Sequence, residues 1–284
     1  MIPRGAYIKL MLKILTVHGS PHKGKTYEIT MEFLKELQNR IEIEVIHTFL
    51  FQEHLELCRG CGNCIVFGED RCPNKDGLLQ IHAMMQSADA VIITTPIYAL
   101  QVSALVKNLL ERSAYIMHRP CYFGKWFMSI STQAYSGDKD VAKYLANVMH
   151  FCGFNILPGL RLTVAPGNET EAQKEMIKKK INAAVKQFQA IEKKEKFPVP
   201  TWKELMMFRL RRSAINSKNY MDVFPRDVDY FRENDWLNTV YYYDVQLNPL
   251  KKIAGRFFDA LGQKMMNSEG RQDINNNISI IENG

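Results

Sequence analysis

The sequence predicts an α/β fold: a doubly wound, five-stranded parallel sheet with helices on both faces, plus a C-terminal aromatic-rich extension. Three observations lead there. Five apolar, β-branched runs alternate with five stretches of helical periodicity over the first 195 residues. The run DAVIITTP (89–96) is apolar along its length, as a strand covered on both faces must be. Right-handed crossovers then make the doubly wound arrangement the default.

The elements follow in order. LKILTVH (12–18) reads as the first strand, and TYEITMEFLKELQNR (26–40) has the spacing of an amphipathic helix. EIEVIHTF (42–49) alternates as a second strand, and residues 50–76 are irregular and rich in cysteine. GLLQIHAMMQSA (77–88) is helical and DAVIITTP is the third strand. SALVKNLLERSAYIM (103–117) is helical and KWFMSIST (125–132) is the fourth strand. DVAKYLANVMHFCG (140–153) is a helix closed by glycine, and FNILPGLRLTVA (154–165) is a fifth strand with a bend at Pro158-Gly159. A Lys-rich helix ends near residue 196, where FPVPTW (197–202) breaks the pattern. Two segments are therefore expected, 1–196 and 197–284. Residues 1–10 read as an extension, since Met11 opens directly on a strand, and NNNISIIENG as a frayed end.

Composition narrows the function classes. Apolar residues make up 46 % of the 284, enough for a substantial core, yet no run reaches the roughly 18 that a membrane span needs. Lys9 and Lys13 interrupt the N-terminal apolar stretch and no small-residue cleavage site follows, so a cytoplasmic location is expected. The net charge is +7, but residues 174–196 hold eight Lys and three Glu, and so supply +5 of it. Ile177, Ile181, Ala184, Phe188 and Ile191 recur there at helical spacing, which describes a surface helix with a solvated Lys face. Neither a nucleic-acid nor a membrane partner is expected.

In a doubly wound sheet the ligand sits outside the carboxyl ends of the strands. The loop after the first strand reads Gly19-Ser20-Pro21-His22-Lys23-Gly24-Lys25-Thr26 and opens a helix. Helix N-terminal N–H groups with Ser20, Lys25 and Thr26 make an anion site suited to phosphate. The segment also matches the triphosphatase pattern G-x4-G-K-[ST]. Such enzymes hold magnesium with an acid at the end of a core strand, and none of these strands ends in one.

The same loop resembles the GSPR-type phosphate loop of the flavodoxin-like NAD(P)H-dependent FMN reductase family, with His22 standing where that family usually has Arg. TPIYALQVSALVKNLLER (95–112) resembles the family's P-x-Y segment and following helix, and STQAYSG (131–137) its small-residue loop. The resemblance spans about residues 12–195, and the tail DYFRENDWLNTVYYYD (229–244) is similar to the C-terminal extension of longer members. It implies FMN held by Ser20, His22, Lys25, Thr26, Pro96, Ile97, Tyr98, Thr132, Gln133 and Gly137. Lys107 and Arg112 read as structural, and His18 as a satisfied core or edge residue.

Cys58, Cys61, Cys64 and Cys72 form C-x2-C-x2-C-x7-C with Pro73 after the last. A disulfide framework does not suit a chain without a secretory signal. Within the resembled group, the iron-sulfur flavoproteins carry such a compact motif for a 4Fe-4S cluster. Cluster-free thiols and zinc stay open beside it. Cys121 and Cys152 read as isolated core residues. The implied activity is hydride transfer from NAD(P)H to FMN and onward to a small-molecule electron acceptor. No side-chain acid or base is nominated. The alternatives are an electron carrier that docks a protein partner and the triphosphatase. The resemblance further implies a homodimer or higher homo-oligomer.

Overall fold

The structure is a computed structural model and describes residues 11–164 and 169–269. The extension read at 1–10 and the frayed end lie outside the described residues. The chain divides into two compact units. The first comprises the described parts of Met1–Leu57, Asp76–Ser113 and Pro120–Lys196, and the second those of Cys58–Lys75, Ala114–Arg119 and Phe197–Gly284. The Cys-bearing segment thus clusters with the C-terminal residues.

In the first unit, β1 (Leu12–His18), α1 (Lys25–Gln38), β2 (Ile43–Phe49), α2 (Asn63–Val66), α3 (Leu78–Ser87), β3 (Ala90–Pro96), α4 (Ala104–Arg112), α5 (Ala114–His118), β4 (Trp126–Gln133), α6 (Asp138–Phe151), β5 (Asn155–Ile156), β6 (Leu160–Thr163) and α7 (Glu171–Gln189) succeed one another, save that α2 and α5 belong to the second. The sheet order is β2-β1-β3-β4-β5, with β6 also on β4, and each of these pairings is parallel. The order reverses at β1 and β3, the switch point where a doubly wound sheet opens a crevice.

Every residue of β3 and β4 is buried, and β3 accordingly reads as a continuous run without polar alternation. Ile14, Ile92, Met128 and Ile130 pack against Phe33 and Leu37 of α1 and Ile181 and Phe188 of α7. Leu15, Val17, Val91 and Ile93 alternate with them along the strands and are equally buried. The apolar face of the Lys-rich helix therefore meets the sheet.

Two elements differ from the sequence reading. The fifth strand is split, because Pro158 can donate no ladder bond and the bare Gly159 backbone comes so close that a Cβ would stand 2.4 Å from Ser129 Oγ. The helix expected over 103–117 ends at Arg112. Ser113 caps it, its hydroxyl donating to Leu109 O at 2.6 Å, and α5 follows.

The second unit adds α8 (Trp202–Ile215), α9 (Lys218–Val223), α10 (Pro225–Glu233) and α11 (Pro249–Glu269). A capping box of Thr201 and Glu204 starts α8 after the Pro-rich break. Phe208, Phe231, Trp236 and Tyr242 form an edge-to-face aromatic core, with Trp236 and Tyr242 centroids 4.7 Å apart.

Candidate functional site

The three loops singled out by sequence emerge at one sheet edge and are fastened to one another. Gly19 follows β1, and its N–H donates to Thr94 O at 2.8 Å. A Cβ on Gly19 would stand 2.2 Å from Val106 Cγ2, so only glycine lets the loop lie this close to α4. Ser103 caps α4 by accepting from Val106 N–H, and its own hydroxyl donates to Gly19 O at 2.6 Å. Sequence reasoning passed over Ser103. A serine directly before a helical run was the available signal.

The first turn of α1 takes no side-chain cap from Gly24. Its leading N–H groups therefore face outward for water or an anion. Ser20 is half-buried, with Oγ accepting from His22 N–H at 3.4 Å, and His22 is exposed. Thr26 is buried, and its hydroxyl lies 2.6 Å from that of Thr132 at the end of β4.

Lys25 is exposed but already engaged, pairing with Glu169 at 2.8 Å and Glu28 at 3.4 Å. The hydrogen bond that it donates to Glu169 raises its pKa and keeps it charged. Glu169 lies 144 positions away, so no local pattern pointed to this pairing.

Pro96 is buried at the end of β3, in register with Thr132, and Ile97 N–H donates to Thr132 O at 2.8 Å. Tyr98 and Gln101 then close a two-residue hairpin over Ala99 and Leu100. Both of these have positive φ, 47° and 63°, in positions where Asn or Gly is usual. Tyr98 and Leu100 are left exposed at 51 % and 62 %. Gly137, with φ of 104°, fits under this hairpin. A Cβ there would stand 3.2 Å from Leu100 Cα and 3.3 Å from Ile97 Cγ2. Gln133 is buried and committed, donating to Thr163 Oγ1 at 3.0 Å and accepting from Asp138 N–H at 2.9 Å. It holds the third loop in shape by these two bonds.

The edge fits a phosphate-bearing planar ligand. Uncapped N–H groups and a hydroxyl-rich turn stand at one loop, and a close-packed hairpin with exposed apolar side chains at the others. It does not fit a magnesium triphosphate, because β1, β3 and β4 end in His18, Pro96 and Gln133 rather than in an acid.

His18 is satisfied, as read. It is 2 % exposed, stacks on Phe49 at 4.5 Å, and its Nε2 lies 3.1 Å from His47 Nδ1. Burial, then His47 and Lys23, lower its pKa to about 4, so it is neutral at pH 7. Arg112 is structural: it makes a bidentate pair with Asp76, at 2.7 and 3.0 Å, and donates to Glu56 O at 2.7 Å. Asn108 donates to the carbonyls of Leu55 and Glu56. Leu55, Glu56 and Asp76, which flank the Cys-bearing segment in sequence, are thereby tied to α4. Lys107 pairs with Glu111 on the helix surface.

None of Cys58, Cys61, Cys64 and Cys72 is joined in a disulfide. Burial, then the thiols of Cys72, Cys58 and Cys61, raise the pKa of Cys64, so the four share one neighbourhood. Among the described residues, no three His, Cys, Asp or Glu side chains converge on a point for a single ion. Thiolates of a four-iron cluster each bind a different iron and stand farther apart than the ligands of one zinc. Four cysteine thiols in one neighbourhood are a donor set that a four-iron cluster can take. Cys121 and Cys152 are not isolated from each other, since Cys121 N–H donates to Cys152 O at 3.2 Å. Burial, then Cys121, push the Cys152 thiol up to about 12, which leaves it inert.

An iron-sulfur flavoprotein from Archaeoglobus fulgidus is 28 % identical over 238 residues, covering 80 % of this chain and all of that one. A second from the same organism is 37 % identical over 105 residues, 36 % of this chain and 49 % of its own length. A Klebsiella pneumoniae protein described as a candidate quinone reductase shares the fold, with a TM-score of 0.51 at 15 % identity over 66 % of this chain and 87 % of that one. The family model for NADPH-dependent FMN reductase matches residues 12–169, the sheet with all three fastened loops. With that match over more than half its length, the chain belongs to the NADPH-dependent FMN reductase family and is an NAD(P)H-dependent FMN oxidoreductase.

Proposed function

We propose that the chain passes electrons from NAD(P)H through FMN, and through a 4Fe-4S cluster on Cys58, Cys61, Cys64 and Cys72, to a small acceptor. The observation that supports it most is the mutual fastening of the three loops, Thr26 to Thr132, Ile97 to Thr132 and Gly137 against Leu100. This is preorganisation for a rigid planar cofactor, with little ordering left to occur on binding. The names of the Archaeoglobus relatives support the cluster.

FMN supplies the redox chemistry, accepting hydride and releasing electrons. The protein's part is to hold and orient it. The α1 N-terminus, the hydroxyls of Ser20 and Thr26, and His22 would hold the phosphate. Pro96, Ile97 and Tyr98, with Thr132, Gln133 and Gly137, would hold the ring. The exposed Tyr98, Leu100 and Tyr135 are the surface that a bound ring and nicotinamide would cover. The reading includes a homodimer working in the cytoplasm.

Anaerobically purified protein should carry about one FMN and four irons per chain and oxidise NADH or NADPH when an acceptor is present. Protein that neither retains nor takes up FMN overturns the proposal. FMN binding without NAD(P)H oxidation would favour the electron carrier instead.

A further inference from the structure

The Cys-bearing segment and the C-terminal helices share one unit, and one buried ion pair fastens them. Arg119, at the end of the Ala114–Arg119 segment, is 4 % exposed. It donates to Cys64 O at 2.5 Å and Ile65 O at 3.0 Å. These carbonyls belong to the short helix α2, which has no following turn to satisfy them. The same guanidinium donates to Asp227 Oδ1 on α10 at 2.6 Å and stands 3.4 Å from Glu69 Oε2, within the Cys segment.

Asp227 is fully buried. Its second oxygen accepts from Tyr220 at 3.0 Å, lies 2.9 Å from His118 Nδ1 and is 3.8 Å from Arg211. Burial opposes its ionisation, but the hydrogen bonds from His118 and Arg119 outweigh this, and its pKa is lowered. Arg211 in turn donates to the carbonyls of Met117 and His118, just before Arg119. Both terminal nitrogens of Arg119 and both oxygens of Asp227 thus have partners, an arrangement in which a buried ion pair specifies one geometry.

We propose that Arg119, held by Asp227, is the positioning residue for Cys64 as a cluster ligand, so that the C-terminal segment is part of the metal site. The inference rests on the cluster reading above. An aligned cysteine backbone is what the four-thiolate site needs, since the spacing Cys58–Cys61–Cys64 leaves Gly60 and Gly62, at φ of 67° and 71° with open space around them, as soft joints. The structure stiffens the loop at Cys64, where those joints end. Lys at position 119 would keep the charge but could not reach two carbonyls and a carboxylate in one plane.

The test uses the full chain, reconstituted anaerobically, as wild type, Arg119→Gln, Arg119→Lys and Asp227→Asn. The readouts are iron per chain, iron release to a chelator, the electron paramagnetic resonance signal of the reduced cluster and its midpoint potential. FMN content, governed by the other unit, reports on folding. Supporting partners of metal ligands typically change affinity by about tenfold to a hundredfold. Release should therefore accelerate about tenfold or more in all three variants, with an altered resonance signal in Arg119→Lys and FMN unchanged. Wild-type protein that takes up no iron overturns the cluster reading, and this inference with it. Wild type that holds iron, with Arg119→Lys and Asp227→Asn showing the same release rate, signal and potential, overturns this inference alone.

Discussion

The hydroxyls of Thr26 and Thr132 lie 2.6 Å apart, joining the first turn of α1 to the carboxyl end of β4. Both residues are buried, at 4 % and 7 % exposure, and both belong to loops assigned to FMN. In the proposed site this contact would set the spacing between the phosphate loop and the end of β4.

Variants of this first loop should divide unequally. Charge-assisted contacts contribute about 1.5–3 kcal/mol each. The Lys25→Ala, Thr26→Ala double variant should therefore lose FMN affinity by about a hundredfold or more. Lys25 is already paired with Glu169 and Glu28, so Thr26→Ala alone should account for most of that loss. Thr132→Val removes only the partner hydroxyl and should cost about 1–3 kcal/mol of stability through a buried group left unpaired. Fluorescence titration with FMN and chemical unfolding measure the two effects. Unchanged FMN binding in the double variant refutes the assignment of the phosphate loop.

The hairpin at Ala99 and Leu100 carries measurable strain. Left-handed backbone costs a residue with a Cβ about 1–2 kcal/mol relative to its usual conformation, and glycine avoids this. Leu100→Gly should raise the unfolding free energy by up to about 1 kcal/mol, seen as a higher midpoint in urea. A lower midpoint would mean that the Leu100 side chain, 62 % exposed, contributes more than the strain it imposes.

Most of the sheet was legible because strands covered on both faces leave short apolar, β-branched runs bounded by turn residues. The runs 12–18, 89–96 and 125–132 fall within a residue of β1, β3 and β4. What was illegible depends on long-range or unusual geometry. Ala99-Leu100 lacks the Asn or Gly that announces a hairpin of this kind. The Lys25–Glu169 and Arg119–Asp227 pairs join residues more than 100 positions apart, and no local pattern encodes them. Cys121 and Cys152 looked isolated because they stand 31 positions apart and meet through a backbone hydrogen bond that no side-chain pattern marks.

Acid should destabilise the fold through two buried histidines. His18 and His82, the latter with Nε2 2.8 Å from Ser113 Oγ, both have a pKa lowered to about 4, chiefly by burial. Above pH 6.5 each is neutral whether folded or unfolded, so neither affects the balance. As the pH falls from 6.5 toward 4 the unfolded chain takes up protons that the folded chain refuses. Stability is lost across that window by up to about 1.4 kcal/mol per pH unit for each group. Urea midpoints measured from pH 7 to 4.5 should fall, and His82→Gln should flatten the slope. An equal slope in that variant would remove His82 from the account.

Helix α11 presents two unlike faces, and they lead to the last prediction. Gly255, Asp259 and Gly262 turn toward α8. A Cβ on Gly262 would stand 2.7 Å from Ser213 Cβ, and Asp259 accepts from Arg209 at 2.9 Å and Arg212 at 2.6 Å. Leu250, Ile253, Phe257, Leu261 and Met265 recur at the spacing of a single helical stripe, and all are exposed, from 36 % to 68 %. At 1.5 Å per residue this stripe runs about 22 Å, long enough to seat a second helix. A contiguous apolar stripe of this kind marks an interaction surface on a water-exposed protein. A second copy offers the same stripe, and two such helices crossing about a twofold axis would cover both. The wild-type chain should therefore sediment as a dimer. Ile253→Glu together with Phe257→Glu should give a monomer that still binds FMN, since neither residue is among those assigned to the cofactor. A monomeric wild type, or a double variant of unchanged mass by light scattering, would show that α11 is not the dimer contact.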